Sequence, residues 1–177
     1  MQFNEESENM TVEFKSEASA TLSANALTAL STSEILDRAR AAARDAGNLF
    51  AGSLSPVEAW TVFNRGDAVL VDVRTAEELK FVGHVPDSRH VAWQTGTALI
   101  KNPRFLRELE HHASKASNVL LLCRSGKRSA AAAEAASKAG FLNVFSVREG
   151  FEGEKDESQH RGEAGGWRRQ GLPWVQD

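Results

Sequence analysis

The sequence predicts an α/β domain, with a mainly parallel central sheet flanked by helices and an N-terminal extension ahead of it. Three observations lead there. The run at 68–73 reads as a continuous apolar strand of the kind a parallel sheet covered on both faces requires, a second apolar run stands at 119–122, and a further strand is expected at 143–147. Between them lie segments with helix start and stop signals, so strands and helices alternate along the chain. The 119–122 run passes directly into Cys123, a short glycine-containing turn and an alanine-rich stretch, a strand–turn–helix unit.

Taken in order, residues 1 to about 30 are rich in Ser, Thr, Ala, Asn and Glu and lack hydrophobic periodicity, which predicts a disordered or loosely attached tail. A helical extension is expected over 31–53. Ser31 and Glu34 have capping-box spacing, Ile35, Ala39, Ala42 and Ala43 follow at near-helical spacing, and Gly47 stops the helix. Its expected role is packing or contact with another copy. The main domain is assigned to 54–177. Ser55 as N-cap, Pro56 at the first helical position and Glu58 closing the box make a strong helix start. Gly66 and Asp67 end that helix, and 68–73 forms the first strand.

Thr75 and Glu78 then cap a short helix, broken by Gly83 and Pro86. A second strand is expected at His90, Val91, Ala92 and Trp93. Asn102 and Pro103 start a helix carrying Phe105, Leu106 and Leu109. After the strand at Val119 to Leu122 and the cysteine turn, a helix over 129–138 ends at Gly140 as its C′ residue. Asn143 to Val147 is a further strand. The polar, glycine-bearing segment 152–166 is longer than a simple connector, so it is either a flank of the functional site or a solvated loop. Trp167, Leu172, Pro173 and Trp174 are expected to dock the C-terminus onto the domain.

Composition narrows the function. The chain has 177 residues, 41% hydrophobic and 25% charged, enough for one domain with a real core and spare length. Its net charge of −3 excludes a whole-molecule nucleic-acid footprint. One cysteine excludes an internal disulfide framework and fits a reducing compartment. No run approaches the ~18 apolar residues of a membrane span. The acidic start, Met1 to Glu6, is unlike the basic-then-apolar pattern of a signal peptide, so the expected location is cytoplasmic.

The chemistry concentrates in Cys123-Arg124-Ser125-Gly126-Lys127-Arg128-Ser129. A strand ending in cysteine followed by a tight turn and a helix start makes an anion cradle: turn amides point inward and the helix dipole adds positive potential. Arg124, Lys127 and Arg128 deepen that field, and a thiol in such a field favours its nucleophilic thiolate form. A buried structural cysteine is the competing reading, but core packing does not call for so charged a turn. The local positive charge indicates a small anionic substrate rather than a polyanion.

Three landmarks in this order resemble the rhodanese sulfurtransferase family: Asp72-Val73-Arg74 with Glu77 and Glu78 behind it, the Gly83-His84-Val85-Pro86 turn, and the Cys123 to Arg128 loop. Gly166-Trp167 and Gly171-Leu172-Pro173 match the end of single-domain members, so the resemblance runs from about Leu54 to Val175 and leaves the chain before residue 50 unexplained. It implies a rhodanese-like fold and a thiosulfate sulfurtransferase. Cys123 would take sulfane sulfur from a small anionic donor as a persulfide and pass it to cyanide or an external thiol. Arg124, Ser125, Gly126, Lys127, Arg128 and Ser129 would bind the donor and cradle the persulfide. Asp72 and Arg74 would support the loop from its base rather than react.

The resemblance implies neither cofactor nor metal. His84 and His90 are read as structural because an acidified thiol needs no general base, and His111-His112 lacks companions at zinc-ligand spacing. Two other readings stay open. One is a sulfur carrier loaded by a partner desulfurase and unloaded by a protein acceptor; with one cysteine, release must come from outside the chain. The other is a cysteine phosphatase or arsenate reductase with Asp87 as general acid. That reading is disfavoured because position six after the cysteine, where phosphatase loops carry arginine, is Ser129. No nucleic-acid or membrane partner is expected.

Overall fold

The structure is a computed structural model that describes residue 27 and residues 29–176. The tail expected over residues 1 to 30 therefore lies outside the described residues, apart from 27, 29 and 30. Helix α1 (Thr32–Asp45) starts on Ser31, whose side chain accepts from the Glu34 amide while the Glu34 carboxylate returns to the Ser31 amide. The same reciprocal box starts α2 (Pro56–Asn64) on Ser55 and α3 (Ala76–Val82) on Thr75. Each box involves residues three apart, which is why it is legible without tertiary information.

Five strands form one parallel sheet: β1 (Gly52–Leu54), β2 (Val69–Asp72), β3 (Arg89–His90), β6 (Asn118–Leu122) and β7 (Asn143–Val147). Their spatial order is β1-β7-β6-β2-β3, and every pairing is parallel. Helix α4 (Phe105–Glu110) precedes β6, and α5 (Lys127–Lys138) links β6 to β7. Strand β1 was not expected: three residues are too short to show a pattern, and only pairing with β7, Gly52 opposite Phe145, makes them a strand. The expected strand at 90–93 is shorter and earlier than its apolar content suggests. Only Arg89 and His90 pair with β2, and a small antiparallel hairpin of β4 (Gln94–Thr95) and β5 (Ile100–Lys101) follows. Helix α4 begins three residues after Asn102, whose side chain instead accepts the Arg104 amide and donates to the Ala92 carbonyl.

Apolar side chains leave the sheet on both faces, which explains the continuous apolar runs. Val119 and Leu121 point with Val71 and Val144 toward Phe105, Leu109, Ala132 and Ala136 of α4 and α5. Leu120 and Leu122 point with Leu70, Phe145 and Val147 toward Ile35, Leu36 and Ala39 of α1, Ala59 and Val62 of α2, and Trp167. Helix α1 thus contributes to the main core instead of standing apart. Burying its two large side chains, Ile35 and Leu36, stabilises by about 1.5 to 3 kcal/mol each.

The topology fixes where a ligand can sit. From β2 the chain moves outward to β3, then returns through α4 to β6 on the other side of β2. The ends of β2 and β6 therefore diverge at a topological switch point, the usual crevice for ligands in open α/β sheets. Asp72 lies opposite Leu122 there, one residue before Cys123.

Candidate active site

Cys123 continues the alternation of β6 onto the α4–α5 face and is 1% exposed. The chain then turns over the sulfur. Gly126 adopts φ 94°, ψ −20°, a left-handed conformation natural for glycine, and its amide donates to Sγ at 3.1 Å. Gly126 is also the N-cap of α5 and offers no side-chain cap. The first amides of α5 therefore have no intrahelical partner and face the end of the turn with the positive end of the helix dipole. A methyl on Gly126 would come within 3.2 Å of the Glu149 nitrogen, so there is little space as well as a special φ.

Ser129, in the first turn of α5, is fully buried. Its Oγ lies 3.4 Å from Sγ, donates to the Gly126 carbonyl at 3.0 Å and meets Ser146 Oγ at 2.9 Å. Ser146 comes from β7, where the register sets it opposite Leu121, on the same sheet face as Cys123. Sequence reading missed Ser146; its only signal is a hydroxyl inside an otherwise apolar buried strand.

The four other turn residues have distinct surroundings. Lys127 Nζ reaches Glu154 at 3.3 Å, a solvent-exposed pair of the kind that contributes little and leaves the lysine available. Arg124 Nε is buried without a hydrogen-bond partner among the described residues. Ser125 is half-buried and makes no side-chain hydrogen bond among the described residues. Arg128 is engaged elsewhere: its two Nη atoms each donate to one oxygen of Glu78 at 2.7 Å, both side chains being about 15% exposed. Burial alone would raise the Glu78 carboxyl, but hydrogen bonds from Arg128 and the Thr75 amide, with the nearby Arg128 charge, hold it below the usual carboxylate range. The hydrogen bonds to Glu78 raise Arg128 against its own burial, with the Glu78, Cys123 and Asp72 charges adding in the same direction. Glu78, already a cap of α3, thus ties α3 to the cysteine turn, a link that capping spacing alone does not reveal.

Asp72 and Arg74 form a fully buried ion pair. Arg74 Nη2 donates to Asp72 Oδ2 at 2.7 Å and Nε to Oδ1 at 3.0 Å; Nη2 also reaches the Gly83 carbonyl at 2.8 Å. The Arg74 guanidinium stacks 4.1 Å from the Phe151 ring centroid. Phe151 in turn donates its amide to the Cys123 carbonyl at 2.8 Å, and Glu152 donates to the Arg124 carbonyl at 2.9 Å. The segment after β7 therefore lies along the base of the cysteine turn like an added strand. Gly150 makes this approach possible, since a methyl there would collide with the Cys123 and Arg124 carbonyl groups. Glu149 sits at φ 65° and accepts the Gly166 amide on its carboxylate, holding the far end of the 152–166 segment.

His90 Nε2 donates to the Arg74 carbonyl at 2.9 Å, and His84 pairs through its backbone with Val175. Asp87 has φ 63°, and its carboxylate makes no hydrogen bond or ion pair among the described residues. Among the described residues no group of His, Cys, Asp and Glu could hold a metal ion, and no helix is long and apolar enough to cross a membrane.

Comparison with known proteins agrees with this geometry. The sequence profile of the Rhodanese-like domain matches residues 55–157. The chain is 36% identical over 112 residues to the uncharacterized protein RP600 of Rickettsia prowazekii, covering 61% of this chain and 83% of that one. It is 30% identical over 105 residues to thiosulfate sulfurtransferase 16, chloroplastic, of Arabidopsis thaliana, covering 58% and 76%. Among solved structures, Rv0390 from M. tuberculosis is similar with a TM-score of 0.65 and 43% identity, over 72% of this chain and 99% of that one.

Proposed function

The chain belongs to the rhodanese-like domain family, and from that membership and the cysteine turn we propose that it is a sulfurtransferase working through a Cys123 persulfide. The observation that carries the reading is the Gly126 amide aimed at Sγ from 3.1 Å, at the N-terminus of a twelve-residue helix. Sγ there accepts a backbone hydrogen bond at the positive end of the helix dipole.

Thiosulfate is the proposed donor. The Cys123 thiolate attacks its outer sulfur; the sulfur–sulfur bond of the donor breaks and sulfite leaves with the electron pair. The first amides of α5, Lys127 and Arg124 face the charge that collects on sulfite, and their stabilising effect is largest when it is fully developed. Gly126 and Ser129 then solvate the persulfide. Cyanide or a thiolate attacks the outer sulfur, and the pair of the Cys123–sulfur bond returns to Sγ. No electrons or protons are left unaccounted for. With one cysteine in the chain, the acceptor must be external, which also keeps the sulfur-carrier reading open as the second choice.

The test is intact mass spectrometry after brief exposure to thiosulfate, with Cys123→Ser alongside and a cyanide chase. Gain of one sulfur atom on the wild type only, removed by cyanide as thiocyanate, is the expected result. Absence of the added sulfur rejects thiosulfate as donor. Efficient loading by a cysteine desulfurase in that case selects the carrier.

A further inference from the structure

A basic cleft lies behind the segment that supports the cysteine turn. Arg161, Arg168 and Arg169 line a space of about 360 Å³ with Gly162, Glu163 and Trp174. Three guanidinium groups thus share one carboxylate, in a chain whose net charge is −3. Phe151 and Glu152 donate on one side to the Cys123 and Arg124 carbonyls and accept on the other from the Arg168 and Gly162 amides. This backbone stands between the cleft and the sulfur, so the cleft is separate from the cysteine site.

The arginines are carried on a braced frame. Trp167, fully buried, donates Nε1 to the Pro173 carbonyl at 2.9 Å and so closes the loop bearing Arg168 and Arg169. Gly153 and Gly166 approach backbone to backbone, where a methyl on either would collide. Arg161 donates to the Gly153 carbonyl at 2.6 Å, which fixes one wall. The Arg168 guanidinium lies 4.5 Å from the Trp174 ring centroid and makes no ion pair among the described residues. Arg169 approaches Glu163 at 3.9 Å with both side chains exposed, a loose pair that already places a carboxylate beside it.

The partner follows from the chemistry of this frame. Arginine's planar fork matches a carboxylate, and a braced loop loses less entropy when it binds. The segment leading to Arg161 carries Glu152, Glu154, Asp156 and Glu157 against Lys155 alone, so the positive charge is confined to the cleft. A long polyanion would meet that acidic flank, whereas a few carboxylates fit. We propose that the cleft is a docking site for a short Asp- and Glu-rich segment of a partner protein, with Arg168 and Arg169 each taking a carboxylate through paired N–H donors. The docking site is independent of the sulfurtransferase reading.

The test is fluorescence anisotropy of the full-length protein with fluorescein-labelled hexaglutamate, hexaglutamine and oligothymidylate. Saturable binding of hexaglutamate that weakens as salt is raised is expected, with none of hexaglutamine. Arg168→Gln and Arg169→Gln should each weaken it about three- to tenfold. Arg168→Lys, which keeps the charge but not the fork, should recover part of the loss. Arg107→Gln, an equal loss of charge on α4 across the sheet, should bind as the wild type does. Cys123→Ser should also bind unchanged, so failure of the sulfur chemistry and failure of the docking site read out separately. No binding of hexaglutamate to the wild type, or an equal loss in Arg107→Gln, overturns the proposal. Tighter binding of oligothymidylate that the two cleft Gln variants abolish also overturns it and reassigns the cleft to nucleic acid.

Discussion

Ser129 and Ser146 meet hydroxyl to hydroxyl at 2.9 Å in the interior, and Ser129 is the neighbour of the Cys123 sulfur. In the thiol form the S–H faces Ser129 Oγ, whose own proton goes to the Gly126 carbonyl. Once the sulfur is anionic, the Ser129 proton can turn toward it, and the Ser146 hydroxyl can donate into the Ser129 oxygen. In the sulfurtransferase reading Ser146 is therefore expected to position Ser129, which touches the sulfur.

Ser146→Ala is expected to slow alkylation of Cys123 by iodoacetamide at neutral pH by about two- to tenfold, the range of one modest hydrogen bond. Ser129 keeps its bond to Gly126, so the urea midpoint should move little. In steady state kcat should fall with KM for thiosulfate nearly unchanged, a split that a general packing defect would not produce.

Removing one member of the Asp72–Arg74 pair leaves a buried charge without its partner. Arg74→Met should cost about 3–5 kcal/mol in urea unfolding, and it also removes the stack on Phe151 that steadies the Cys123 carbonyl. The double variant Asp72→Leu with Arg74→Met should recover part of that loss. If the two single costs simply add, the pair is not coupled in the way its geometry implies.

Glu78 gives stability a pH dependence of known sign. Its folded carboxyl titrates below the ordinary glutamate value of 4.5, so over that window the unfolded chain binds more protons and stability rises with pH. Its contribution is complete above pH 4.5 and is lost as pH falls through the lower folded value. Glu78→Gln should therefore be less stable than wild type near neutrality and show a flatter loss on acidification. Parallel curves of urea midpoint against pH for the two proteins would refute this.

Gly150→Ala should disturb the turn more than its size suggests, because the added methyl meets backbone rather than a flexible side chain. Its φ of 63° adds a strain of about 1 kcal/mol or more. The expected outcome is a lowered melting temperature and slower persulfide formation. An unchanged persulfide yield with thiosulfate would show that the 150–153 segment does not control the turn.

Local chemistry in the sequence was enough to locate three helix starts, at Ser31, Ser55 and Thr75, because a capping box closes within four residues. The Cys123 turn was legible for the same reason: cysteine, glycine and cations are contiguous. Strand β1 was not, since Gly52, Ser53 and Leu54 become a strand only by pairing with residues more than ninety positions away. The partners of the site residues were also hidden. Arg128 meets Glu78 across fifty positions, Ser129 meets Ser146 from the adjacent strand, and Arg74 meets Phe151 beyond both. Contacts of this kind depend on strand order and register, which the core sets by burying both faces of the sheet at once. The sequence by itself determined where the candidate nucleophile Cys123 stands and which elements surround it. The tertiary structure decided which cations remain free to meet an anion and which are already spent holding the turn in place.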